Sequence, residues 1–237
     1  MLHLITYALL FWFFATISTF LKAVREDELA VQTERIKNFP KGLFIAIKIL
    51  PALISVIIIL VFRPSGTWFY ILLAVALVFC ALGDIGMETK FLAGVLFFLI
   101  AHLFFTTNFL WHSYLLGVSL LPLLTFVISY AIMIFVIILA VRFLDSSEPR
   151  LGPLKIPLIV YVLILSLTLS SSLMLWLTAG NLLGFVPFIG AIIFVISDLL
   201  IGVRLFHRHF NKAEFTIFST YYFAIFFLSL SFTIYLF

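Results

Sequence analysis

Apolar residues do not alternate along this chain. They run on for twenty or more positions at a time, broken by short clusters of charge, proline and glycine. A helix needs roughly 20 apolar residues to cross the hydrocarbon layer, and breaking the sequence at those clusters predicts eight spans. They cover about 2–24, 43–62, 67–87, 90–110, 118–142, 156–178, 183–205 and 214–236. Backbone facing lipid must satisfy its own hydrogen bonds, so each run is expected to be helical, and no period-two strand pattern competes. The expectation is an all-α polytopic membrane protein, one transmembrane helical domain over 1–237. Two connections are longer than the rest, "REDELAVQTERIKNFPK" and "DSSEPRLGPLK". The first is read as a brief amphipathic surface helix.

Composition strengthens this picture. Of 237 residues 65% are hydrophobic and 10% charged, with a mean hydropathy of +1.32, far beyond a soluble domain. Thirty phenylalanines suit an exterior bathed in acyl chains. The first apolar run opens "MLHLITY", with its basic residues after it, and is read as a retained helix, not a cleaved signal. A single cysteine, Cys80, excludes an intrachain disulfide and a cysteine-based zinc cluster.

Charge sets orientation. Lys22, Arg25, Arg35, Lys37, Lys41, Lys90, Arg142, Arg150, Lys155, Arg204, Arg208 and Lys212 all fall at odd-numbered connections, twelve of the 14 basic residues. Arg63 sits at an even-numbered one, and Lys48 lies inside the second span. Lys and Arg stay cytoplasmic, so both termini are expected on the non-cytoplasmic side, in a prokaryotic cell membrane or a eukaryotic endomembrane. The net charge of +4 follows from this topology. The basic residues are spread among loops and form no nucleic-acid footprint.

The polar residues inside the spans carry the candidate chemistry. Counting 1.5 Å per residue from the basic end, Asp84 lies about one turn into span three, Asp198 and Lys48 about two turns into spans seven and two. Tyr161 lies about one and a half turns into span six, Tyr221 and Tyr222 about two into span eight, and His102 near the middle of span four. Each has an ordinary explanation: a snorkelling lysine, tyrosines of the aromatic belt, a satisfied buried histidine. Asp198 resists one. It is surrounded by "AIIFVISDLLIGV", and an ionised aspartate at a helix centre costs about 2.5–3.5 kcal/mol. Gly190, Phe194, Asp198 and Gly202 share a stripe at four-residue steps, which lets another backbone approach beside the carboxylate. Ala76, Cys80 and Asp84 repeat that pattern. An aromatic stripe on span four includes Phe98, His102 and Phe105.

These residues resemble a known family. "ALGD" followed by "FLAGVLFFLIAHLFFTTNF", and later "GAIIFVISDLLIGVRLF", are similar to the two signatures of the YhhN-like lysoplasmalogenase family, with weaker echoes in "KILP", "PLIVY" and "STYYFA". The similarity spans nearly the whole chain. It departs from the family pattern at Phe105, where a tyrosine is common, at Ile225, where a glutamine is usual, and in lacking a methionine after Tyr161. The resemblance implies hydrolysis of the vinyl ether of a lysoplasmalogen, a lysophospholipid, to a fatty aldehyde and a glycerophospho-base.

Vinyl ether chemistry asks for two acids on independent grounds. One group protonates the β-carbon, and a second steadies the resulting oxocarbenium ion or activates water. Two carboxyls in a dry cavity divide these roles. Asp84 and Asp198 are therefore the expected dyad, with His102 bonded to one acid or orienting water. Lys48 is expected to neutralise the pair or to meet the lipid phosphate. Tyr161, Tyr221 and Tyr222 are expected to contact substrate, and Phe98 and Phe194 to line a slot for the chain. No metal or other cofactor is expected, since one histidine with two aspartates is a poor zinc set. The oligomeric state is left open. Two other readings stand beside this one. Intramembrane Asp, His and Lys also build proton-coupled carriers or lipid transporters. "ALGD" and "PAL" resemble elements of presenilin-like aspartyl proteases, although here they come in the reverse order.

Overall fold

A computed structural model describes residues 2–26, 39–62, 68–147, 154–206 and 211–235. Among them are eight long helices and no strand: α1 Leu2–Arg25, α2 Lys41–Val61, α3 Trp68–Thr89, α4 Phe91–Leu115, α5 Leu120–Ser147, α6 Lys155–Ala179, α7 Leu182–Phe206 and α8 Ala213–Ser229. Eight spans, the last being α8 continued to Ile234, are long and apolar enough to cross a membrane, and the chain is an integral membrane protein. The surface helix expected over 25–41 falls largely outside the described residues.

Seven helices close a ring, in the order α1, α2, α3, α4, α6, α7, α8 and back to α1. Helix α5 stands outside it, packed along α6, and only 6% of its span is buried, against 61% for α3 and 67% for the last span. On α5 the Thr125 and Ser129 hydroxyls donate to the carbonyls of Leu121 and Phe126 on the same helix, and a leucine facing lipid is as well solvated as one facing protein.

Small residues bring backbones together where the ring is tightest. Helices α3 and α4 are joined by the single residue Lys90, and a β-carbon on Gly86 would run into the Gly94 backbone. One on Gly190 would lie 2.7 Å from the Leu228 nitrogen, so the stripe anticipated on α7 admits the backbone of α8. Gly190→Leu is expected to lower the melting midpoint of the detergent-purified protein, by the ~1–3 kcal/mol typical of an overpacked interior. Gly202→Ala should not lower it, because a β-carbon there meets nothing within 4 Å.

The eighth span departs from a single helix. The α-helix ends at Ser229, and residues Leu230–Tyr235 tighten into a 3₁₀ helix. The cause is local: Ser229, Ser231 and Thr233 each turn a hydroxyl back to a carbonyl three residues earlier, which favours the narrower winding. Ser229 also meets Tyr7, whose hydroxyl lies 2.9 Å from Ser55 Oγ. This network locks α1, α2 and α8 together away from the basic end.

Candidate functional site

The basic end is where α1, α3, α5 and α7 finish and α2, α4, α6 and α8 begin. There a cavity of about 540 Å³ enters the bundle, with a wall drawn mainly from apolar side chains. Its polar lining is concentrated. Asp84 and Glu88 come from α3, Asp198 and Arg204 from α7, Lys22 from α1, Lys48 from α2, Lys155 and Tyr161 from α6, and Glu214 and Tyr221 from α8. Both expected carboxyls thus open on one chamber.

Each acid holds a different set of partners. The Tyr221 hydroxyl donates to Asp84 Oδ2 at 2.8 Å, and Lys48 Nζ lies 3.6 Å from Asp84 Oδ1. Tyr161 donates to Asp198 Oδ2. Among the described residues no cation lies within ion-pair distance of Asp198, and its second oxygen has no protein donor. The pair is asymmetric: one carboxyl has an ammonium and a phenol, the other a phenol alone.

Lys48 does not snorkel to water. It is only 4% exposed and donates to Glu88 Oε1 at 2.9 Å, while its ammonium sits 4.7 Å from the Phe218 ring centroid, a cation–π contact. Alternating charges continue outward. Lys22 lies 3.4 Å from Glu88 and 3.3 Å from Glu26, and Arg204 lies 3.6 Å from Glu26. Arg204 also pairs with the buried Glu214. A chain of ion pairs therefore runs from the rim down to Asp84. Its buried lysine has two anionic neighbours, which a desolvated ammonium requires.

Aromatic rings shape the inner end. Phe98, Phe194 and Tyr221 meet edge to face, with centroids 5.8–5.9 Å apart. His102 lies behind them, fully buried, its ring 4.5 Å from Phe194 and 6.0 Å from Tyr161. Its Nδ1 is 3.2 Å from Thr168 Oγ1, and Thr168 is 2.9 Å from Thr106. Tyr222 points elsewhere, its hydroxyl 2.8 Å from Ser18 Oγ and 3.2 Å from the Lys48 carbonyl. It braces α8 against α1 and α2.

Of the nine residues singled out in the sequence, seven share the cavity wall: Asp84, Asp198, Lys48, Tyr161, Tyr221, Phe98 and Phe194. His102 and Tyr222 stand just outside it. No role was read from the sequence for Glu88, Glu26, Glu214 or Thr168. The spacing of Asp84 and Glu88, four apart on one helical face, was the available signal for Glu88. Thr168 offered none, because its importance lies in a contact with another helix.

No curated protein and no solved structure matches this sequence. The model of the YhhN family does, over residues 43–232, a stretch that holds both acids, Lys48 and both of their tyrosines. With four-fifths of its length under that match, this chain belongs to the YhhN family.

Proposed function

We propose that this protein is a membrane-embedded hydrolase that cleaves the vinyl ether of lysoplasmalogen-type lysophospholipids, with its basic end facing the cytoplasm. The observation that carries the proposal is the unlike pair of carboxyls, Asp84 and Asp198, opening on one largely apolar cavity. Family membership and the motifs around both acids support it.

The asymmetry supports a division of roles. Among the described residues Asp198 has no ammonium beside it, and it accepts Tyr161 on one oxygen, leaving the other to hold a proton. That proton passes to the β-carbon of the vinyl ether, and the neighbouring carbon becomes part of an oxocarbenium ion. Asp84, with Lys48 and Tyr221 as partners, carries the negative charge that steadies this cation. Water adds to the cationic carbon and gives its proton to Asp84, forming a hemiacetal. Collapse breaks the bond to the glycerol oxygen, which takes the proton from Asp84, while the hemiacetal hydroxyl returns one to Asp198. Fatty aldehyde and glycerophospho-base leave, and both acids are restored. His102 acts as a positioning residue, holding Tyr161 and Phe194 from behind.

The test is purified protein, a lysoplasmalogen, and heavy water. The aldehyde collected at early times is expected to carry one deuterium on the carbon next to the carbonyl, because the acid proton exchanges with solvent. The saturated alkyl ether of the same headgroup should release no aldehyde, since it has no carbon to protonate. Aldehyde without deuterium would refute carbon protonation. No lipid product at all, with uptake into proteoliposomes driven by a pH gradient, would favour the carrier reading.

A further inference from the structure

The cavity is shallow beneath its acids. Its deepest wall residue on α6 is Leu165, four positions beyond Tyr161, and on α7 it is Phe194, four positions beyond Asp198. At 1.5 Å per residue, about 6 Å of cavity lies below the carboxyls. The inner end is closed by the rings of Phe98, Phe194 and Tyr221, backed by His102 and the fully buried Phe105. A hydrocarbon chain filling one leaflet spans about half of a ~30 Å layer, or about 15 Å. Such a chain cannot end inside.

The side wall is different. Leu199 and Leu205 of α7 and Val136 of α5 all line the cavity, yet they are 65%, 45% and 48% exposed. Side chains that border the cavity while facing the lipid zone mark an opening. It lies between α5 and α7, with Leu158 and Val162 of α6 at its back. Helix α5 forms one bank although it stands outside the ring, packed along α6. That placement is what leaves the flank unsealed.

We propose that this opening is the binding groove for the hydrocarbon chain of a single-chain lipid. The polar head lies at the rim, near Lys22, Lys155 and Arg204, the reacting bond lies between Asp84 and Asp198, and the chain runs out between α5 and α7 with its end in the bilayer. The inference rests on the lipid-hydrolase reading above and adds the route of the chain. Only the first few carbons beyond the ether are enclosed, so the site reads the bond and the head and does not measure chain length.

The test uses the full chain in lipid nanodiscs and a saturated alkyl ether lysophospholipid with a photoreactive diazirine a few carbons from the ether, in the enclosed part of the chain. Labelled peptides are expected from α5 around 133–139 and α7 around 196–205, and unlabelled lysophospholipid should compete. Val136→Trp and Leu199→Trp, each placing bulk on one bank, should cut competable labelling by about tenfold. Leu124→Trp, on the exposed part of α5 away from the cavity, should not. Competable labels confined to α4 near Phe98 and Phe105, or labels on α5 and α7 that nothing competes away, would overturn the groove. The two readings fail separately. Competable labelling on both banks without aldehyde from a vinyl ether lipid would keep the groove and sink the hydrolase; aldehyde release with labels on α4 alone would do the reverse.

Discussion

Asp198→Asn is expected to remove aldehyde release from a lysoplasmalogen, by the ~10²–10⁴-fold that a general acid supplies, while the protein stays folded. Asparagine keeps the size of the side chain and still accepts the Tyr161 hydroxyl, so the contact between α6 and α7 survives. What it lacks is a proton acidic enough for carbon. Asp84→Asn should be lost as severely, for a different reason: the amide accepts Tyr221 but brings no charge to the oxocarbenium ion. In that variant Lys48 keeps Glu88 at 2.9 Å, so the cation is not orphaned. Both variants should elute as the wild type does from size exclusion in detergent and melt within a few degrees of it. Glu26→Gln, at the outer end of the ion-pair chain, should retain most activity. More than about a tenth of wild-type turnover in either aspartate variant would refute the dyad.

Lys48→Met should be the most destabilising single change near the site. The ammonium is nearly inaccessible and lies within ion-pair distance of both Asp84 and Glu88. Removing it leaves two carboxylates on one face of α3 with Lys22, 3.4 Å from Glu88, as the nearest described cation and the Tyr221 hydroxyl still on Asp84. Breaking a buried ion pair from one side costs about 3–5 kcal/mol, read as a lower melting midpoint and a smaller folded yield. Adding Asp84→Asn should recover part of the stability, since one uncompensated charge is then gone, but none of the activity. The double-mutant cycle separates the two effects. Purely additive losses would mean that Lys48 and Asp84 are not energetically coupled.

Much of the site was legible because carboxylates in lipid need a reason. Asp198, deep in an apolar run, drew attention by its cost alone, and of the glycines on its stripe Gly190 makes the expected close approach to α8, whereas Gly202, one turn from the carboxylate, has open space beside it. Counting residues from the basic end also brought Asp84, Lys48, Tyr161 and Tyr221 to one level. Their partnerships were not legible. Tyr161 and Tyr221 were expected to touch substrate, and both line the cavity; that each donates to a different acid had no signal in the sequence. Tyr222, one residue further on, turns about 100° around the helix and reaches Ser18 instead. His102 has a depth in the sequence but no direction there, and the fold puts Phe194 between it and the cavity.

The sequence by itself determined the eight helices, the levels of the charged groups and the family, because a bilayer imposes length and backbone satisfaction on every span, and both are written locally. Helix order around the ring, the exclusion of α5 from it and the different company kept by Asp84 and Asp198 were decided only by the tertiary structure. In water, a polar outer face would have announced which side of each helix looks inward. In lipid, leucine and phenylalanine are equally at home on either side, so the choice rests on a few close contacts between small residues and a few buried polar pairs, which exist only once the helices have met.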